Sequence, residues 1–230
     1  MPSERLVRIL GLLADRDGSG GARLCEVAAE VTGTSGAGVM LLVDERPQAT
    51  VCTSGELSAL IEEAQYTLGE GPCVDAHRLG EVISEADLGA AGAARWAAFS
   101  RRALEAGARA VFGYPIRIGT VRLGALNLYR DQPGPLGDDQ HADALVMADV
   151  AARTILASQA GGPEGTLDVD EDFHWWGVVH QAAGMVSVQL AIPVGDALVR
   201  LRAHAFRSDR LVSDVARDVV ERRLRFDLGD

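Results

Sequence analysis

Arginines are concentrated near the end of the chain, where their chemistry suits an anionic partner. Residues 198–225 hold eight arginines against four acids, a balance of +4, whereas residues 1–170 hold 14 arginines against 24 acids, a balance of −10. Guanidinium groups form paired hydrogen bonds to phosphates and to nucleic-acid bases. The local excess favours a nucleic-acid contact. The alternative is a solvated helical face with internal ion pairs, such as one between Arg217 and Glu221.

The charge of the whole chain limits the kind of nucleic-acid binding that can be expected. The formal net charge is −11, which argues against loose, non-specific binding to a phosphate backbone. A basic surface confined to the C-terminal segment would have to make a specific contact.

Cys73 is another residue whose type and position could support chemistry. It follows Gly71-Pro72 near the predicted start of a helix, where the helix dipole can lower a thiol pKa. Such a thiol could be a redox centre or a ligand-binding point, but more often it packs in a core. With Cys25 and Cys52 the chain has three cysteines, an odd number without metal-ligand spacing. We therefore expect buried, unpaired thiols in a reducing compartment.

No catalytic set can be assembled from the other polar residues. The sequence has no Gly-x-Ser-x-Gly motif, no His-Glu-x-x-His motif and no phosphate-binding loop, and its five histidines form no metal pair with each other or with cysteine. We predict no enzymatic activity, no metal and no cofactor, and leave open an unknown small-molecule ligand. Without a long apolar run or a signal-peptide pattern, we expect a cytoplasmic protein.

Three amphipathic helices must position the C-terminal arginines. Apolar residues recur at helical spacing from about residue 172 to 190, again from 197 to 205, and as pairs every four residues from 211 to 220. Gly184 lies inside the first of these helices. Because glycine is unfavourable there, it suggests that another backbone passes close by; the alternative is a glycine that the helix simply tolerates.

Three segments carry a family resemblance. They are Gln181-Ala182-x-Gly184-Met185, Ala197-Leu198-x-x-Leu201-Arg202-x-x-Ala205 and Asp209-Arg210-x-Val212-x-Asp214-Val215-Ala216. This pattern resembles the ANTAR family, which consists of three-helix RNA-binding antiterminator modules on bacterial signalling proteins. By motif position the resemblance implies RNA contacts by Arg202, Arg210 and Gln181. Charge alone adds Arg200, Arg207 and Arg217 as neighbours.

The sequence departs from that family at four positions. The family usually has a basic residue at Ala183, often has Asn at Asp209, and commonly has basic residues at Leu211 and Ser213. These departures support an alternative, namely a dimerisation or interaction module that has kept the fold and lost RNA binding. A third option is a sensor-type enzyme that acts through Cys73.

Helices and strands are mixed in the preceding part of the chain. Residues 20–158 read as helix, two strands, helices, strand, helix, two strands and helix, which predicts an α+β fold with helices on the faces of an antiparallel sheet. The last two strands, 108–117 and 121–129, are joined by Gly119-Thr120. The helix predicted at 56–65 has an apolar side formed by Leu57, Leu60, Ile61 and Ala64.

A second resemblance lies in this region. The resemblance rests on three segments: the turn from Leu68 to Asp75, the strand Tyr114-Pro115-Ile116 and the strand Gly124-Ala125-Leu126-Asn127-Leu128. They resemble the GAF domain, a small-molecule sensing module of signalling proteins. The chain contains no lysine, so the Asn-Lys-x-Phe-Asp-Glu set of cyclic-nucleotide sites is incomplete, and neither cGMP nor cAMP is predicted.

These patterns divide the chain into a GAF-like sensor domain with an N-terminal helix (1–160), a linker (161–171) and an ANTAR-like three-helix domain (172–230). So small a helical domain buries little core, and we predict a homodimer formed through the long helices at 138–158 and 172–190. One indole of Trp175-Trp176 is expected to pack on the other domain or on a second subunit.

The two resemblances together imply a signal-responsive transcription antitermination regulator. The GAF-like domain would sense a small molecule or another signal, and the ANTAR-like domain would bind RNA hairpins. No contact with DNA or with a membrane is predicted.

Overall fold

The computed structural model describes residues 2–15, 20–43, 46–92, 95–159 and 174–227. It divides into two compact units, Met1–Asp170 and Glu171–Asp230. The linker predicted at 161–171 falls outside the described residues, as do the side chains of Trp175 and Trp176.

A five-stranded antiparallel sheet forms the centre of the first unit, in the order β2-β1-β5-β4-β3. Its strands are β1 (Gly36–Val43), β2 (Arg46–Thr53), β3 (Ile83–Glu85), β4 (Ala110–Ile118) and β5 (Val121–Arg130). The predicted hairpin between β4 and β5 turns at Gly119, whose φ of +59° suits a residue without a side chain. The predicted α+β class is confirmed.

Helices cover both faces of the sheet. They are α1 (Pro2–Ala14), α2 (Gly20–Thr32), α3 (Glu56–Leu68), α4 (Pro72–Leu79), α5 (Ala97–Ala106) and α6 (Asp138–Gln159), with a π-helical turn at Leu88–Gly92 before α5. Helices α2 and α6 pack on one face, with α1 against them, whereas α3 and α4 pack on the other. The unit therefore has three layers.

The two faces of the sheet differ in character because side chains alternate along each strand. Leu126 and Leu128 of β5 point into an apolar core shared with α2 and α6. Each such buried aliphatic side chain contributes about 1.5–3 kcal/mol to stability. Asn127, which lies between them in the strand, belongs to the opposite face, towards α3 and α4. That second face carries the buried polar groups described below.

Helix α3 buries more than the apolar side predicted from its periodicity. Leu60, expected to point inward, is 39% exposed, whereas Glu62, Gln65 and Thr67 are buried. The helix packs against β1 and β2 on one side and against α5 on another. Because the sheet covers one side of α3 and α5 covers another, the polar side of α3 also loses contact with water.

Two of the three cysteines are paired, which corrects the expectation of free thiols. Cys25 of α2 and Cys52 of β2 form a disulfide across 27 residues of sequence, with their Cα atoms 5.9 Å apart. Helix α2 packs on β2, and this tertiary contact brings the two thiols together. Cys73 is free and buried.

The second unit consists of α7 (His174–Leu190), α8 (Val194–Arg207) and α9 (Val212–Val220). Its core is formed by small and branched residues at helical spacing, among them Val179, Val186, Leu201, Val215 and Val219. Among the described residues of the chain, no individual helix combines the length and apolarity needed to cross a bilayer.

Each helix of the second unit is followed, within two residues, by a non-glycine residue with left-handed backbone. These residues are Ala191, Asp209 and Arg222, with φ of 53°, 52° and 62°. The backbone N–H of the following residue bonds back into the last turn each time, as in a Schellman motif. Asp tolerates this conformation better than most residues with a side chain, which suits Asp209 to its position after α8.

No other backbone among the described residues passes close to Gly184, which favours the alternative of a tolerated helical glycine. A Cβ built on Gly184 would meet no described atom within 4 Å. Its neighbours Ala182 and Ala183 are fully buried instead. The small residues of α7 that face the core are therefore the alanines.

Candidate functional sites

A group of polar side chains is enclosed between α3, the start of α4 and the sheet. We call it the buried polar cluster, and its members are Glu62, Gln65, Cys73, Asn127 and Tyr129. All five are fully buried. Helix α3 supplies Glu62 and Gln65, α4 supplies Cys73, and β5 supplies Asn127 and Tyr129.

Hydrogen bonds connect the cluster across these elements. Glu62 Oε1 accepts from Asn127 Nδ2 at 2.8 Å and also from the hydroxyl of Tyr129. Gln65 Nε2 lies 3.4 Å from that hydroxyl, and Gln65 Oε1 accepts from the backbone N–H of Cys73 at 2.9 Å. The cluster thus ties α3 to β5 and to the first turn of α4.

Burial dominates the electrostatics of the cluster. Loss of water raises the pKa of Glu62 to about 7, although the hydrogen bonds from Tyr129 and Asn127 oppose the shift. Burial and the charge of Glu62 raise the pKa of Tyr129, which keeps the phenol neutral. Within the described residues no arginine or histidine forms an ion pair with Glu62.

Two acceptor atoms of the cluster have no hydrogen-bond partner among the residues that the structure describes. Glu62 Oε2 and Asn127 Oδ1 are both buried and unsatisfied. An unsatisfied buried polar atom costs about 1–3 kcal/mol, and more when it is charged. Native proteins rarely retain such atoms without a reason.

Cys73 is placed where its thiol stays protonated. It lies in the first turn of α4, and its Sγ is 3.7 Å from Met40 Sδ. Burial and the charge of Glu62 raise its pKa, outweighing the backbone hydrogen bonds that lower it. The lowering expected from the helix dipole is overcome because the thiol is removed from water.

Glycines allow the polar side chains to lie against the backbone. A Cβ on Gly38 of β1 would be 2.3 Å from Glu62 Oε1, and one on Gly71 would be 2.6 Å from Gln65 Oε1. Except for Cys73, sequence reasoning missed this cluster. The available signal was Asn127, a polar residue inside an otherwise apolar strand, together with Gly38 at the start of another.

The six residues predicted to contact RNA lie on the second unit, and we call them the arginine surface. Gln181, Arg200, Arg207 and Arg217 are exposed, and Arg202 and Arg210 are partly exposed. They come from α7, from α8, from α9 and from the connection between α8 and α9.

Carboxylates of the same unit engage part of this surface. Arg210 pairs with Asp218 at 2.7 Å, and Arg223 pairs with the same carboxylate at 2.7 Å. Hydrogen bonds from these two arginines lower the pKa of Asp218. Arg210 is therefore part of an ion-pair network that closes the end of α9.

The ion pair predicted between Arg217 and Glu221 is wrong. Arg217 reaches back to Asp214 at 2.9 Å, one turn earlier in α9. Glu221 pairs instead with Arg223. The alternative of a solvated face with internal ion pairs thus describes this part of α9 well, although the pairs themselves differ from the predicted one.

Two positions where a basic residue was considered, Ala183 and Ser213, are buried. Ala183 is fully buried and Ser213 is 5% exposed, so neither side chain adds to the solvent-facing surface of this chain.

On α7, burial and then the charge of Arg202 lower the pKa of His180. Arg202 therefore lies close enough to α7 to influence its electrostatics.

The five-stranded antiparallel sheet, with a layer of helices on each face, defines the first unit as a three-layer α+β domain. A family model described as GAF domain matches residues 21–155. The chain belongs to the GAF domain family. The matched region ends before the second unit begins.

Solved structures with this fold include three bacterial proteins of low sequence identity. The GAF domain of a phosphoenolpyruvate-protein phosphotransferase from Coxiella burnetii is 18% identical with a TM-score of 0.53, covering 70% of this chain and 96% of that one. The corresponding Acinetobacter domain is 14% identical with a TM-score of 0.52, covering 70% and 97%.

The third structure is the free methionine-R-sulfoxide reductase of Neisseria meningitidis in complex with its substrate. It is 17% identical with a TM-score of 0.51, covering 70% of this chain and 92% of that one. At such identities the likeness shows the fold alone. No curated protein matches the chain by sequence.

Proposed function

We propose that this chain is a signal-responsive transcription antitermination regulator. The GAF domain receives a small molecule or another signal, and the C-terminal unit binds structured RNA. The observation that carries the RNA role is the arginine surface, displayed on three helices whose motifs resemble an ANTAR domain. Family membership supports the sensing role.

The RNA contacts are divided unequally among the predicted residues. Arg200, Arg207 and Gln181 are exposed, and we assign them the direct contacts, with Arg202 beside them. Arg210 and Arg217 already bond to carboxylates, so phosphate would have to displace Asp218 or Asp214. At these two positions a bond to phosphate would replace an ion pair that the free protein already has, so the net gain in affinity from each is expected to be small.

We also propose that the protein acts without catalysis, in the cytoplasm and as a homodimer. Two copies would present two RNA-binding units to a pair of hairpins, which suits two-fold symmetry. Light scattering over a concentration series tests the dimer. A monomer that persists at tens of micromolar would remove this part of the proposal.

The RNA role is tested with a fluorescently labelled RNA that contains two short hairpins. Wild-type protein should bind at micromolar concentration or tighter, and affinity should fall steeply with salt. The double variant Arg200→Ala/Arg207→Ala should weaken binding roughly 10-fold or more, since phosphate and loop-base contacts are lost.

Arg117→Ala is the matched control, because Arg117 is an exposed arginine on β4 of the GAF domain. It should bind RNA like the wild type. The absence of any complex at low salt, or an equal loss in the control, would contradict RNA binding by the arginine surface.

A second candidate function is favoured by one feature of α8. Val199 is 51% exposed and Phe206 is 60% exposed, and they lie seven residues apart with exposed Ala203 between them. This spacing places them on one side of the helix, opposite its buried residues. Such a stripe is suited to docking against another protein chain.

The variant Val199→Ser/Phe206→Ser distinguishes the two functions. If the C-terminal unit is only a dimerisation module, this variant should become monomeric by light scattering, and wild-type protein should show no RNA binding. RNA binding by the wild type would exclude this candidate as the sole function.

A further inference from the structure

We propose that the C-terminal unit binds an unpaired base of its RNA and that Phe206 is the residue on which this base stacks. The inference rests on the proposed RNA-binding function. It adds the residue that would select hairpin loops over paired stems, and it names the chemical feature of the RNA that this residue recognises, the flat face of an exposed base.

Phe206 is an aromatic side chain that faces solvent on the outer side of α8. It is 60% exposed, and Val199, seven residues earlier, is 51% exposed. Ala203 lies between them in the sequence and is also exposed. Because seven residues span about two turns, or roughly 10 Å of helix, these three residues form a continuous surface, which we call the apolar stripe.

Arginines border the apolar stripe on both sides. At about 3.6 residues per turn, Arg202 lies on one side of Phe206. Arg200 and Arg207 lie on the other side. Arg207 Nη2 is 3.5 Å from His204 Nδ1, so this guanidinium group is directed away from the stripe and leaves the ring of Phe206 uncovered.

This combination of groups matches an unpaired nucleotide. The phosphate of a nucleotide is an anion that arginine binds, and its base has a flat face that stacks on an aromatic ring. In a paired stem, neighbouring bases already cover these faces, so a stem would leave Phe206 in water. The apolar stripe therefore adds a preference for loop nucleotides to the general attraction of the arginines for phosphate.

The charges beside the stripe argue against a second copy of this chain as its partner. A two-fold interface on α8 would place the same surface of each copy against the other. Arg200, Arg202 and Arg207 would then meet the same three arginines, and such like-charge contacts are strongly unfavourable. The helix offers only Asp196 as a compensating acid. RNA avoids this conflict, because it carries negative charge along its whole length.

The test compares Phe206→Leu with Phe206→Tyr in the full chain. Leucine keeps the apolar character of phenylalanine but has no ring, whereas tyrosine keeps the ring. Binding to the labelled two-hairpin RNA is measured at fixed salt. Phe206→Leu should weaken binding roughly 5- to 100-fold, and Phe206→Tyr should bind within about 3-fold of the wild type.

Two further kinds of RNA show whether a base is the partner of Phe206. The first is a set of the same hairpins, each with one loop base removed to leave an abasic nucleotide. For at least one of them, the wild type should lose affinity and the difference between Phe206→Leu and the wild type should disappear. The second is a fully paired duplex, which both proteins should bind equally.

Light scattering on the same preparations separates base stacking from docking between protein chains. Phe206→Leu should keep the oligomeric state of the wild type. A change of oligomeric state without a change in RNA affinity would assign Phe206 to a protein contact and overturn the proposal.

Two results of the binding assay would also overturn it. One is a Phe206→Leu protein that binds the hairpins as tightly as the wild type, and the other is an equal loss of affinity for the duplex. Both would leave the proposed RNA function standing, because the wild type still binds. The absence of any wild-type complex would instead remove the RNA function and the stacking role together.

Discussion

The buried polar cluster and the arginine surface differ in the burial and the pairing of their charged side chains. In the cluster, Glu62 is fully buried and has no basic partner among the described residues. On the arginine surface, Arg210 and Arg217 each have a carboxylate partner although water also reaches them. Water solvates a surface charge whether or not the charge is paired. In the interior, a carboxylate is either stabilised by a fixed partner or neutralised by a proton. The same type of substitution should therefore have a large effect in one region and a small effect in the other.

The largest effect is expected from Glu62→Gln, through its dependence on pH. Burial raises the pKa of Glu62 from its usual 4.5 to about 7, so the folded protein binds this proton more tightly than the unfolded chain. The resulting stabilisation is fully present below about pH 4.5 and is lost as the pH rises through about 7. Above pH 7, Glu62→Gln should be more stable than the wild type by on the order of a few kcal/mol.

This prediction is measured by denaturant unfolding of the GAF domain at a series of pH values. The wild type should lose stability between about pH 5 and 8, and Glu62→Gln should lose much less. Glu56→Gln serves as the exposed control and should follow the wild type. A parallel loss in all three proteins would show that the buried carboxylate does not dominate this range.

A pair of glycine substitutions gives the next largest contrast. Gly38→Ala places a methyl group 2.3 Å from Glu62 Oε1 and should destabilise the GAF domain by about 1–3 kcal/mol through overpacking. Gly184→Ala meets nothing within 4 Å among the described residues and should stabilise α7 by up to about 1 kcal/mol.

Denaturant midpoints of the two units report both changes. If Gly184→Ala destabilises the C-terminal unit instead, a second chain must approach the helix at this point, which would support the proposed dimer. A neutral Gly38→Ala would mean that Glu62 can move away and that the cluster is less tightly packed than the distances indicate.

The smallest effect is expected from Arg217→Ala. Its ion pair with Asp214 joins two half-exposed side chains at i,i+3, and such pairs contribute about 0.2–1 kcal/mol. The loss should diminish further as salt is added. Arg225→Ala, at an exposed arginine of the same unit, is the control. A cost above about 2 kcal/mol for Arg217→Ala would show that this surface is buried in an assembly.

Periodic patterns predicted the elements of both units well. The paired apolar residues from Leu211 to Val220 correspond to α9, and the two strands predicted on either side of Gly119-Thr120 correspond to the β4–β5 hairpin. The failures came from contacts between distant segments. The partner of Cys25 could not be chosen from spacing, and Leu60 was placed inward because its helix was assumed to have only one buried side.

The same distinction between local pattern and distant contact applies to the side chains of the candidate sites. The sequence alone determined that α8 and α9 carry an excess of arginine, because charge is a property of composition and helical period decides which residues face water. Which arginines are bonded to Asp218 or Asp214 required the packed structure, since several carboxylates lie within reach of each flexible side chain.

From its residues alone, this chain could be recognised as an α+β domain followed by three amphipathic helices, because local propensity and apolar period are properties of short segments. Only the tertiary structure decided that Glu62, from α3, and Asn127, from β5, meet without water. Desolvation depends on everything that surrounds a group in space, and those surroundings come from segments far apart in the chain.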